Sequence, residues 1–171
     1  SESLTELELT MRAGNENWRK TEGAYFSQQA TKPQTLSYGL NDSPAALAAW
    51  IVEKYHSWGD CKGNIESRFS KDDLLTNIMI YWYTETINSS FALYYDAGHN
   101  PWIFGKNERI EVPCAVANFP AEIVKYPREW AERCYNLYRW TEFPSGGHFA
   151  AQEEPDLLVG DIRDFFREFR S

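Results

Sequence analysis

Leu137-Tyr138-Arg139-Trp140-Thr141-Glu142-Phe143-Pro144-Ser145-Gly146-Gly147-His148-Phe149-Ala150 is the stretch on which the fold of this chain turns. Leu137 to Phe143 reads as a strand, and Pro155 to Phe169 reads as a closing amphipathic helix. Between them, paired glycines let the backbone turn tightly and leave the His148 imidazole on a loop at the strand's carboxyl end. That edge is where α/β proteins keep their working residues. A lone His is more often structural, but strand, glycines and helix in this order point to a catalytic His148.

Upstream, Ile110 to Phe119 reads as another strand, with Ala121 to Lys125 and Pro127 to Asn136 as short helices. The strand, helix, strand, helix rhythm implies parallel strands in a covered sheet. Two strands alone would leave open edges, so the arrangement calls for more strands than these residues supply. A catalytic His needs an acid to fix its tautomer and to stabilise the imidazolium it forms. Glu122, just beyond Phe119, is delivered by the earlier strand to the same edge as His148. A first-turn helix Glu favoured by the dipole is the competing structural explanation. Glu142, Glu153 and Glu154 are weaker candidates because they lie close to His148 along the chain.

The first part of the chain is helical. Leu4 to Trp18 predicts a helix, and Tyr25 follows in a polar stretch ending at a turn at Lys32-Pro33. Asn41-Asp42-Ser43-Pro44 predicts a helix start, with Asp42 or Ser43 as cap and Pro44 at the first helical position. Leu47, Trp50, Ile51, Tyr55 and Trp58 then recur at helical spacing up to Gly59. Ser70 and Asp73 have the spacing of a capping box, and Leu74 to Ile87 predicts a helix buried on several sides. A polar loop with Gly98, Pro101 and Gly105 closes this part.

The 171 residues are 43% hydrophobic and 25% charged, a globular composition. A net charge of −8 repels polyanions, so nucleic acid is excluded as an expected partner. Aromatics at 16% suit either a pocket for apolar ligands or simply an aromatic core. Cys61, Cys114 and Cys134 lack CxxC spacing, so no disulfide framework or metal site is expected, nor any cofactor. A reducing, cytoplasmic setting is the expectation, with no membrane segment and no signal peptide between Ser1 and Lys20. The missing initiator Met and the start inside a helix suggest a fragment or a processed product.

In α/β catalysts of this order the nucleophile precedes the acid and the His, on a Gly-x-nucleophile-x-Gly elbow between strand and helix. Gly59-Asp60-Cys61-Lys62-Gly63 has that form, but it follows a helix rather than a strand, which argues against Cys61. No elbow and no oxyanion loop is recognisable. Several segments nevertheless resemble the microsomal-type epoxide hydrolases: Gln29-Ala30-Thr31-Lys32-Pro33-Gln34-Thr35-Leu36, Gly39-Leu40-Asn41-Asp42-Ser43-Pro44, Ala48-Ala49-Trp50-Ile51-Val52-Glu53-Lys54 and Phe69 to Ile78. Pro127-Arg128-Glu129-Trp130 and Gly146 to Ala151 followed by Glu153-Glu154-Pro155 extend the likeness to the end of the chain.

The resemblance implies the carboxyl-terminal portion of an α/β-hydrolase: a helical lid over residues 1–105, then core elements in strand-helix-strand-helix order over residues 106–171. It implies hydrolysis of a small apolar epoxide to a vicinal diol through an Asp ester. In that scheme His148 is the water-activating base, Glu122 its acidic partner, and Tyr25 and Tyr94 the donors to the epoxide oxygen. Tyr95 beside Tyr94 leaves the register there open. The nucleophilic Asp and the first strands have no counterpart here, so the missing amino-terminal half is the expected partner, and the chain alone should not complete covalent catalysis. Two other readings stand beside this one: a non-catalytic ligand- or partner-binding fragment, and another Asp-nucleophile hydrolase such as a dehalogenase. The tyrosines argue against the latter, since halide leaving groups need no proton donor.

Overall fold

The computed structural model describes residues 4–105 and 108–170. Two compact units emerge. One gathers the described parts of Ser1–Trp18, Trp58–Asp60 and Phe104–Ser171; the other consists of Arg19–Ser57 and Cys61–Ile103.

The strand-bearing unit contains most of helix α1 (Glu6–Glu22), strand β1 (Ile110–Asn118), helix α7 (Arg128–Cys134), strand β2 (Tyr135–Glu142), a single turn α8 (Ala150–Glu153) and helix α9 (Pro155–Arg167). β1 and β2 pair in parallel, with Cys114 opposite Leu137 and Asn118 opposite Glu142. Among the described residues the sheet has these two strands. Helix α9 is fastened to β2 through Asp161, 7% exposed, whose Oδ1 accepts from Arg139 Nε at 2.7 Å and Thr141 Oγ1 at 2.6 Å. A buried carboxylate needs such partners. Helix α1 opens on a capping box not foreseen in the sequence, Thr5 with Glu8. The Trp130 indole also donates to Glu8.

The segment Ala121 to Lys125 is not the short helix expected. Its backbone groups are taken by other partners. Ala121 N–H donates to Gly146 O, Ile123 N–H to the Glu122 carboxylate, and the Asn15 amide holds both the carbonyl and the N–H of Lys125 at 2.8 and 3.1 Å. Each of these removes a group that a helical ladder would need.

The helical unit holds α2 (Ala24–Thr31), α3 (Pro33–Asp42), α4 (Pro44–Trp58, whose last residue counts with the other unit), α5 (Lys71–Thr84) and α6 (Ile87–His99). Ser43 caps α4 through Ala46 N–H, and Ser70 with Asp73 forms the expected capping box on α5. Leu40, Leu47, Ile78, Ile87 and Phe91 form its core. Three expectations need correction. The polar stretch holding Tyr25 is helix α2, and Pro33 starts another helix at its first position rather than a turn. The helix predicted to continue to Ile87 stops at Thr84, because Glu85 adopts a left-handed conformation and a new helix, α6, begins in what reads as loop. Nor is α5 buried on several sides: Leu74 and Ile78 are buried, whereas Leu75, Ile80 and Tyr83 are exposed.

Among the described residues, no helix is long and apolar enough to cross a membrane. Truncating Phe91, which is 1% exposed at the centre of the helical core, with F91A should cost about 3–5 kcal/mol of unfolding free energy. Y83S on the exposed face of α5 should stay within about 0.5 kcal/mol. Urea titrations of the two variants against the parent check both values.

Candidate active site

The parallel register of β1 and β2 sends both chains off the same edge of the sheet. Just past that edge Ala121 and Gly147 still form a parallel bridge, so the residues that follow each of them lie side by side. There His148 Nδ1 meets Glu122 Oε1 at 2.8 Å. A carboxylate can only accept, so Nδ1 carries a proton, and in the neutral ring the Nε2 lone pair is then able to accept another. About a third of each side chain is open to solvent, which leaves the imidazole reachable.

Two influences compete at Glu122. Partial burial pushes its carboxyl up, but the hydrogen bonds from His148 and from Ile123 N–H, with the attraction of the imidazole, outweigh this and hold it below its ordinary value of 4.5. The acid therefore stays ionised near neutral pH and accepts the proton on His148 Nδ1.

The His148 loop is shaped by its glycines and by a second segment. Gly146 sits at φ +106°, a conformation that side chains resist, and a Cβ there would come within 2.7 Å of Phe119. A Cβ on Gly147 would come within 2.8 Å of the Trp58 carbonyl oxygen and 3.0 Å of Asp60 N. That closeness is bonded: His148 N–H donates to Trp58 O at 3.1 Å and Gly146 N–H to Asp60 Oδ2 at 3.2 Å. Glu153, 7% exposed, accepts from Asp60 N–H at 2.6 Å and from Phe149 N–H at 2.9 Å. The Trp58 indole stands edge-on to the imidazole, with ring centroids 5.3 Å apart, and Phe149 meets the same ring at the same distance from its own position in the loop.

In the helical unit, Tyr25 on α2 and Tyr94 on α6 meet edge-to-face with centroids 5.7 Å apart. Burial pushes both phenols above their ordinary value, reinforced by Tyr94 at Tyr25 and by Tyr81 at Tyr94, so both stay protonated and able to donate. Tyr95 is 44% exposed and stacks on His99 instead, which separates the two adjacent tyrosines. Cys61 is buried, and its thiol donates to the Tyr55 carbonyl at 3.6 Å, in a turn after a helix. That placement suits packing rather than attack. Among the described residues no cluster of His, Cys, Asp and Glu is arranged to hold a metal ion.

Comparison with known proteins gives these features a context. No family model matches the chain. It is 43% identical over 148 residues to a putative epoxide hydrolase of Stigmatella aurantiaca, covering 86% of this chain and 33% of that protein. It is 44% identical over 153 residues to epoxide hydrolase 1 of Oryctolagus cuniculus, covering 84% and 34%. The crystal structure of juvenile hormone epoxide hydrolase from the silkworm Bombyx mori superposes with a TM-score of 0.84 at 29% identity, over 98% of this chain and 42% of that one. This chain is similar to epoxide hydrolases over most of its own length. Its fold is a portion of the α/β-hydrolase fold of those proteins, and it spans about a third of the length of the curated relatives it matches.

Trp58, Asp60 and Glu153 were not singled out as parts of the site in the sequence. Trp58 reads as one more apolar position of a helix and Glu153 as a weaker candidate for the acidic partner of His148. The usable signal was the spacing of Phe149 and Glu153, one helical turn apart, which lets a carboxylate reach back to an N–H at a helix start.

Because Glu122 titrates below 4.5 in the folded state, its ionised form stabilises the fold above that pH, and the contribution is lost as pH falls through the lowered value. E122Q should therefore be less stable than the parent near neutral pH, by on the order of 1 kcal/mol given the partial exposure of the pair. The difference should close well below 4.5, as followed by urea unfolding across pH. G147A, forced against the Trp58 carbonyl, should lose about 1–3 kcal/mol in the same assay.

Proposed function

We propose that these residues form part of an enzyme that converts an apolar epoxide and water into a vicinal diol, with a carboxylate nucleophile supplied from outside the 171 residues. The single observation that carries this reading is the 2.8 Å contact of His148 Nδ1 with Glu122 on a solvent-reachable loop beyond parallel strands. Kinship with proteins named epoxide hydrolases supports the substrate class. In this reading the helical unit is the lid and the strand-bearing unit belongs to the catalytic core.

The chemistry runs in two steps. A carboxylate oxygen attacks a ring carbon, the ring C–O bond breaks, and its electron pair moves to the ring oxygen, which takes a proton from a Tyr25 or Tyr94 phenol. Burial keeps those phenols protonated until the alkoxide develops. Then His148 Nε2 removes a proton from water while Glu122 stabilises the imidazolium. The hydroxide adds to the ester carbonyl and the acyl C–O bond breaks. Two protons, on the imidazolium and the new carboxylic acid, return to the leaving alkoxide and the tyrosinate, so the net change is epoxide plus water to diol.

Single turnover of the whole protein in heavy-oxygen water tests this scheme. The label should enter the protein's carboxylate before the product; label appearing directly in the diol would rule out the ester. Y25F and Y94F should each slow ring opening by about 10²-fold, and H148Q should leave opening intact while the ester accumulates. Turnover of esters with epoxides left untouched would refute the proposal.

A further inference from the structure

Glu153 lies outside the His148–Glu122 pair yet is the most enclosed carboxylate near it, 7% exposed. Both of its oxygens are committed to backbone: Oε2 to Asp60 N–H and Oε1 to Phe149 N–H, the peptide immediately after His148. Burying a carboxylate is costly unless it is fully hydrogen-bonded, and packing alone would be met by a Leu or Met at this position. What the carboxylate adds is direction, because two short charge-assisted bonds fix two separate peptides relative to one another. One of those peptides follows His148. The other sits in the Trp58–Asp60 turn, whose carbonyl holds His148 N–H and whose indole stands beside the imidazole.

We propose that Glu153 is a positioning residue for His148: it ties the Trp58–Asp60 turn to the histidine loop so that the imidazole is held with Nδ1 on Glu122 and Nε2 toward water. The inference rests on the reading of His148 as the base of the second step. The two peptides its carboxylate holds both border the His148 loop, so its loss should affect hydrolysis of the ester and spare its formation. Gln at this position keeps the size but presents an amide group to one of the two N–H donors, breaking half of the clamp.

The test is E153Q in the whole protein, read in two ways. Rapid-quench kinetics should show ester formation within about twofold of the parent and ester hydrolysis slowed by about 10²-fold, the scale of a base displaced by an ångström. Proton NMR should show loss or broadening of the low-field signal of the His148 Nδ1–H bonded to Glu122, identified by its absence in E122Q. Equal slowing of both steps, or an unchanged signal with unchanged hydrolysis, overturns the proposal. If E153Q does not fold, E153D, which retains the charge but not the reach, should give the same selective loss; if neither variant folds, Glu153 is structural and the proposal falls. A parent protein without epoxide turnover defeats the functional reading alone, since the NMR signal still reports whether Glu153 positions His148.

Discussion

The parallel pairing of β1 with β2 is the constraint on which the site depends. In an antiparallel pair consecutive strands end at opposite edges, and residues following each strand are separated by the strand's length. Parallel pairing, with Asn118 opposite Glu142, lets both chains leave at one edge, and the bridge from Ala121 to Gly147 carries the register a few residues further. Glu122 and His148 then need only their side chains to meet. Helix α7 supplies the crossover such pairing requires, and the Arg139, Thr141 and Asp161 network holds α9 to β2.

Much of this was legible in the sequence because it is written in local signals. Gly146 and Gly147 mark a backbone approach too close for side chains, and the positive φ of Gly146 and the nearness of Gly147 to Trp58 are the physical content of that mark. Ser70 and Asp73 announce a helix through their own hydrogen bonds. The alternation of strand and helix after residue 105 carries the parallel topology.

What escaped the sequence is what depends on distant partners. The stretch from Ala121 to Lys125 has reasonable helical composition, but the Asn15 amide captures Lys125 and Gly146 captures Ala121. Helix α6 was hidden by Gly98 and by polar residues that read as loop, although burial of Ile87 and Phe91 in the helical core is enough to fix it. Glu153 could not be recognised as a clamp because its partner Asp60 N–H is 93 residues away in the chain. The edge-to-face contact of Tyr94 with Tyr25 and the stacking of Tyr95 on His99 likewise follow from α6, which the sequence did not reveal.

The Trp58–Asp60 turn has a consequence for how the chain reaches its native state. Its neighbours on both sides belong to the helical unit, yet its hydrogen bonds go to residues 86 to 93 positions later. Such contacts close large loops and lower the rate at which a nucleus can assemble, whereas the helices between them form from neighbours. During synthesis the turn emerges long before its partners and must wait for them. The geometry around His148 is thus expected to form late, and a chain can hold nearly all of its helices while the imidazole is still unaligned.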